Sequence, residues 1–317
     1  MLADPNNRPG GPRLVITAKT ANRVQFFDAA TFARTGEIDM PASTHEMVLS
    51  PDGRSVYASV YGGGIFGKNA NPDRRIAVID LQSKAVVRMI DVGSGLAPHG
   101  VMFDRDGMLW CTAELGNAVL VIDPATGAMH RIETGKPAHW LAISHAANRV
   151  FASCKTSDFV AVIDRTKRAV TGRLPIPDFA EGLCVTPDGD TLFVCAHRTP
   201  TLYVFDATDG ALRKTITIAG GEGKPNQLKR VRVSPDGRFA CVSSLLDNHA
   251  IFDTASLDQI ASFTTPKAPM GFGFGADGTH AFLCCHDDAV VLEFELPTGR
   301  VTRQFGTASG CEYVVSY

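Results

Sequence analysis

No apolar run in this 317-residue chain approaches the roughly 20 residues that a membrane-spanning helix needs, and the opening MLADPNNRPGGPR has no apolar stretch of the kind a secretory leader carries. These absences predict a cytoplasmic protein with no membrane partner, a leader trimmed ahead of residue 1 being the alternative. Charge of one sign is missing as well. Lys and Arg number 31 and Asp and Glu 33, a net charge of −2, so no basic surplus exists to neutralise a phosphate backbone, and nucleic acid is set aside as a partner. The eight cysteines (Cys111, Cys154, Cys184, Cys195, Cys241, Cys284, Cys285 and Cys311) contain no C-x-x-C pair, which removes a zinc ribbon, a dithiol redox centre and c-type haem attachment and predicts reduced thiols. No G-x-S-x-G, H-E-x-x-H or G-x-x-x-x-G-K motif occurs, and the run Gly62-Gly63-Gly64 has no helix behind it to form a phosphate site. Aromatic residues make up only 8%, little material for a broad protein-docking face. What is there is globular: 44% hydrophobic residues, 20% charged, mean hydropathy +0.02.

Length alone suggests about two domains, but an internal repeat overrides it. The stretch HGVMFDRDGMLWCTAELGNAVLVIDPATGAMHRIET (99–134) holds four short β-type runs between turn signals, and 181–218 repeats the plan. Each unit reads strand a, a turn of the Pro-Asp-Gly kind, strand b, a loop, strand c ending in Asp, a turn and strand d. The turn Gly supplies positive φ, while Val, Ile, Phe and Tyr fill the buried pleat. Eight residues before that Gly stand His45, His99, Glu181, Lys229 and Met270. The unit at 139–148 has lost its Pro-Asp-Gly, but the same offset falls on His139, and the last strand, CEYVVSY, puts Glu312 there. Spacings of 54, 40, 42, 48, 41 and 42 residues, with four strands per repeat, define propeller blades. The final strand a has no b, c or d after it, and the N-terminal RLVITAKTA, RVQFFD and ARTGEID are a b, c and d with no a before them. The prediction is an all-β, seven-bladed propeller in a single domain over 1–317, its closing blade shared by both termini and 1–12 an irregular lead.

The units LGNAVLVIDPATG, TSDFVAVIDRTKR and GDTLFVCAHRTPTLYVFDATDG resemble the YVTN-type β-propeller repeat, and the architecture is similar to the lactonase-like seven-bladed superfamily that includes 6-phosphogluconolactonase. The resemblance covers residues 13–317 and rests on strand and turn residues. It implies the fold, and because that superfamily holds hydrolases, lyases and binding proteins it assigns no site residue.

Periodicity accounts for much of the polar sequence. Asp28, Asp80, Asp123, Asp164, Asp206 and Asp253 close strand c and are expected to cap the following turn. The cysteines of the b strands read as packing, and Trp110 and Trp140 as core. The strand-a starts do not fit a packing role. Residues there converge on the mouth of a propeller's channel, where such folds bind ligands, and six of the seven (Glu312, His45, His99, His139, Glu181, Lys229) ionise. Three imidazoles on neighbouring blades suit a divalent cation such as zinc, so His45, His99 and His139 are the candidate metal ligands, with Glu181 or Glu312 as base. An outer ring at the end of strand b (Lys19, Tyr61, Glu114, Lys155, His197, His286) would build a polar funnel. Lys19, Lys155 and Lys229, with Arg198 nearby, are candidates for a substrate anion, and Glu114 and Tyr61 for further substrate contacts. The long loop GGGIFGKNANPDRR (62–75) reads as a glycine-hinged lid bearing Ile65 and Phe66, and the 219–229 connection as an opposite wall. Together these predict a metal-assisted hydrolase of a small lactone or ester. The alternatives are a lyase in which His197 or His286 abstracts the proton, and a non-catalytic propeller; the oligomeric state stays open.

Overall fold

Strands b and c are apolar on both faces; in Leu109–Ala113 and Ala118–Ile122 every residue is buried. A strand of that kind needs cover on two sides, which stacking sheet on sheet provides. In the computed structural model, which describes residues 12–65, 67–218, 227–245, 249–275 and 278–317, the strands β1–β28, numbered in chain order, form seven four-stranded antiparallel sheets. The lead expected over 1–12 (all but its last residue), Phe66 and most of the 219–229 connection lie outside the described residues. Outer strands such as Leu212–Thr217 are largely exposed. Each innermost strand packs on the next, from β4 (Thr44–Leu49) through β8 (Pro98–Phe103), β12 (Ala138–Ser144), β16 (Ala180–Val185), β20 (Leu228–Val233) and β24 (Pro269–Phe274) to β28 (Cys311–Ser316), and β28 packs back on β4. The ring is therefore closed. In the closing sheet β28 pairs with β1 (Arg13–Ala18), Leu14 opposite Ser316 and Ile16 opposite Val314, so the two ends of the chain share one blade.

The capping aspartates behave as expected. Asp28 Oδ1 accepts from the N–H groups of Ala30 and Thr31 at 3.1 and 2.8 Å, and Asp206 does the same for Thr208 and Asp209 at 2.7 and 3.2 Å. All eight cysteines are free thiols, seven of them buried.

One device repeats in all seven blades and positions the site. The pairing of strand a with strand b slips at the same place each time, between Thr44 and Met47, Pro98 and Val101, Ala138 and Leu141, Ala180 and Leu183, Leu228 and Arg230, Pro269 and Phe272, and at Glu312 in the closing blade. A bulge of this kind re-aims a side chain that an unbroken pleat would bury between sheets. The re-aimed residues are His45, His99, His139, Glu181, Lys229, Met270 and Glu312, each one or two positions into its strand. Opposite the bulge strand b carries Thr17, Ser59, Thr112, Ser153, Cys195, Ser243 or Cys284, always a small side chain with a polar γ atom. Ser59 Oγ accepts from the Glu46 N–H at 3.1 Å, Thr112 Oγ1 from that of Gly100 at 2.7 Å and Ser153 Oγ from that of Trp140 at 3.0 Å. The donor that the bulge frees is thereby satisfied.

Candidate active site

Following each re-aimed residue comes a second layer with its own pattern: Glu46, Gly100, Trp140, Gly182, Arg230, Gly271 and Tyr313. Glycine is required where bulk cannot fit, since a Cβ at Gly182 would stand 2.4 Å from the Lys229 carbonyl oxygen and one at Gly271 2.6 Å from that of Glu312. The large members fill the space so left. Arg230 lies flat over the Trp140 ring at 3.6 Å, and its Nη2 donates to Glu46 Oε1 at 2.9 Å and Glu312 Oε1 at 3.2 Å. Trp140 is thus the channel floor as well as core. This plug turns the channel into a blind cavity of about 340 Å³, lined by His45, His99, His139, Glu181, Lys229, Met270 and Glu312 of the rim, and by Lys19, Tyr61, Ile65, Lys155, His197, Arg230 and Leu245.

The three imidazoles stand in a row, ring centres 4.9 Å apart for His45 and His99 and 3.9 Å for His99 and His139. Their surroundings differ. His99 Nδ1 donates to the His139 carbonyl at 3.0 Å, which leaves the Nε2 lone pair open. His139 Nδ1 is bonded to Glu114 Oε2, and its Nε2 faces the Lys155 ammonium at 3.2 Å. His45 has no hydrogen-bond partner for either ring nitrogen among the described residues, although it is 95% buried (5% exposed). Burial holds His45 and His99 well below the usual imidazole range, so both are neutral. Donor atoms within 4.8 Å of one another fall into two overlapping groups, His45–Glu46–His99 and His99–Glu114–His139, with a carboxylate in each. The sequence pattern did not single out Glu46. It sits one residue beyond the periodic position, and only the bulge brings it onto the axis. Burial lifts its carboxyl to about 8 against the pull of Arg230, and its Oε2 has no partner.

Across the cavity, Glu181 faces two ammonium groups and an imidazole: Lys155 Nζ at 3.2 Å, Lys229 Nζ at 3.9 Å and His197 Nδ1 at 3.3 Å. Burial works to raise its pKa, but Lys155, His139 and His197 outweigh burial and hold it well below the ordinary carboxylate range. That suits an anchor for cations and not the base expected of it. Lys19 and Lys229 are both depressed, first by burial. Three of the expected residues do not line the cavity. Glu114 is fully buried, with both carboxylate oxygens engaged, one by His139 and the other by the Tyr61 hydroxyl at 2.5 Å, so it orients His139 and touches no substrate. Arg198 stacks on Phe179 at 3.7 Å, and His286 pairs with Asp287 at 2.8 Å. The 62–75 insertion departs from its expected role as a hinged lid. The b–c hairpin of the first blade runs on through paired residues Gly62–Pro72 and Gly63–Asn71, Asn69 Nδ2 donates to the Tyr61 carbonyl at 3.0 Å, and Ile65 is thereby held at the cavity wall as part of a braced ribbon.

The chain is thus a seven-bladed propeller with a closed floor and an ionisable cup on one face. No family model matches the chain. The antigen Lp49 of Leptospira interrogans is 25% identical over 263 residues, 76% of this chain and 54% of that protein, so the chain spans about half the length of the curated relative it matches. Among solved structures, hydrazine synthase of Kuenenia stuttgartiensis superposes with a TM-score of 0.77 at 18% identity, covering 92% of this chain and 94% of that one. The periplasmic gluconolactonase of Pseudomonas aeruginosa gives 0.79 at 15% identity over 96% and 98%. At these identities the likeness is one of fold. No helix among the described residues is long and apolar enough to cross a membrane.

Proposed function

We propose that the cavity hydrolyses a small, anion-bearing lactone or ester with the help of a divalent metal ion. The observation that carries this reading is His45, a buried imidazole with two unpartnered ring nitrogens beside the open Nε2 of His99 and the unpartnered Oε2 of Glu46. Leaving such groups unsatisfied costs about 1–3 kcal/mol each, and a buried cluster of them calls for a resident partner. The donor set fits the ion. Two neutral imidazoles and one carboxylate suit zinc or a similar borderline metal, and a three-ligand set leaves a position for water or substrate oxygen. When bound, the ion would polarise a carbonyl and acidify water.

The chain's own groups supply the rest. Glu114 holds the proton of His139 on Nδ1, so Nε2 faces the cavity as a proton acceptor. Lys155, Lys19 and Lys229 attract the substrate's anionic group, and as Lys155 turns to that anion it releases His139 Nε2 to take a proton from water. Glu181 keeps the ammonium groups in place between turnovers. The floor of Arg230 and Trp140 stops the substrate from passing through. The gluconolactonase among the neighbours of like fold supports a lactone as first trial substrate. Eight free thiols suit a reducing compartment.

The test is elemental analysis of protein purified without chelator or metal-binding tag, joined to hydrolysis in ¹⁸O water. One ion per chain, lost with activity in His45→Ala, and solvent oxygen in the product acid are the expected results. No stoichiometric ion together with full activity in His45→Ala would remove the metal, and a new double bond in the product would make the enzyme a lyase.

A further inference from the structure

Large apolar side chains exposed on the described residues number eight, and five of them (Val87, Met129, Leu212, Ile260, Val301) lie on outermost strands, where a solvated sheet edge accounts for them. Leu115, 40% exposed, follows β9 (Leu109–Ala113) in blade two and does not line the cavity, whereas Ile65 and Leu245 do. They come from blades one and five, 180 residues apart in sequence, are 55% and 36% exposed, and both line the mouth of the same cavity. Met270, the one rim residue that does not ionise, lines it too. The ribbon carrying Ile65 is held by the Lys68 N–H to the Ile65 carbonyl at 2.9 Å and by Asn69, so its exposure is built in. An otherwise ionic cup therefore carries apolar side chains at its lip, on blades one, five and six, which water solvates poorly and an alkyl group would cover.

We infer that the ligand of this cavity is amphiphilic: a compact acid or ester head sits among the imidazoles and ammonium groups, and an unbranched alkyl tail leaves over Ile65, Leu245 and Met270. Lys19, Lys155 and Lys229 set the head, since they are the cations of the wall, and Lys19 has no ion-pair partner among the described residues. Ile65 and Leu245 are then specificity-determining residues, selecting chain length. The inference rests on the hydrolase reading for the ester but not for the acid, because binding of the acid needs no chemistry.

Calorimetric titration with acetate, butyrate, hexanoate and octanoate tests the tail, and hydrolysis of the p-nitrophenyl esters of the same acids runs beside it. Each added methylene is expected to tighten binding by up to about fourfold until the tail passes the lip. The double variant Ile65→Ser, Leu245→Ser should flatten the series, and Leu212→Ser, an exposed leucine on an outermost strand, should leave it steep. Both variants change surface positions, and melting temperatures equal to wild type show that they fold. Affinity that does not change from butyrate to octanoate, or a slope that survives in the double variant, overturns the inference. Steep binding without ester hydrolysis counts for the amphiphile and against the enzyme, whereas hydrolysis without a chain-length slope does the reverse.

Discussion

Glu46 should control ion binding through a single proton. The residue is 1% exposed, and burial, opposed by Arg230, lifts its carboxyl from an ordinary value near 4.5 to about 8. His45 and His99 are already neutral, so they have no proton to lose near pH 7. An ion that takes an oxygen of Glu46 therefore displaces one proton, from that carboxyl. Below about pH 8 each unit of pH should weaken apparent affinity about tenfold, giving a loss of about a hundredfold at pH 6 relative to the plateau. Titration with Co²⁺ at pH 6, 7 and 8 in buffers of different ionisation enthalpy reads the proton count directly. One proton per ion is expected at pH 6 and 7, falling toward one half near pH 8, and Glu46→Gln should abolish both the release and the pH slope. The sign for stability follows from the same shift. A carboxyl raised in the folded state favours folding while protonated, so the ion-free protein should lose stability between about pH 4.5 and 8, by at most on the order of 4–5 kcal/mol, and the Gln variant should not. Release of no proton at pH 6, or equal release in wild type and Glu46→Gln, would mean that Glu46 is not the group the ion deprotonates.

Four other substitutions have expected outcomes. Arg230→Met leaves the buried carboxyl groups of Glu46 and Glu312 without their shared hydrogen-bond donor, a loss of about 3–5 kcal/mol, which for a chain of this size lowers the melting temperature by about 4–8 °C in calorimetry; a change under one degree would mean that Arg230 does not hold the floor together. Gly182→Ala forces a Cβ into the backbone of the next blade and should destabilise by about 1–3 kcal/mol in urea titration, whereas Gly306→Ala, with no atom within 4 Å, should be neutral or slightly stabilising. Glu114→Gln puts an amide where a carboxylate accepts from His139 and Tyr61; hydrolysis should fall about 10- to 100-fold with the ion content unchanged, and loss of the ion instead would make His139 a ligand.

The blade count and the seven rim positions are legible in the sequence because the turn Gly and the strand-c Asp recur at fixed offsets, and both are demanded by local backbone geometry. That offset reaches one residue per blade and stops there. Glu46, Arg230 and the role of Trp140 lie one position beyond it, on a layer that a regular pleat would point away from the axis. The signal for the bulge is present in strand b, where Thr17, Ser59, Thr112, Ser153, Cys195, Ser243 and Cys284 form a ring of small γ-polar residues. It reads as packing until the register shows a hydroxyl serving the freed N–H. Arg198 and His286 depart from the expected funnel for the opposite reason. The end of strand b shares a face with the cavity, but a side chain there can turn outward to a ring or a carboxylate, as Arg198 does to Phe179 and His286 to Asp287.

The second layer also shows why Glu46 keeps one carboxyl oxygen without a partner. Going round it, large residues and glycines alternate: Glu46, Gly100, Trp140, Gly182, Arg230, Gly271, Tyr313. Strict alternation closes on an even ring only. With seven blades one junction must place two large side chains side by side, and here it is Tyr313 against Glu46. Arg230 reaches that junction from across the channel and binds Glu46 through Oε1 alone, so Oε2 is left over, next to His45, whose ring nitrogens are left over too. The odd blade count thus leaves a carboxyl oxygen without a partner at the crowded junction, within reach of His45 and His99. Gly100→Ala, which leaves Tyr313 against Glu46 and adds bulk between Glu46 and Trp140, should weaken Co²⁺ binding in calorimetric titration while the melting temperature still shows a folded ring.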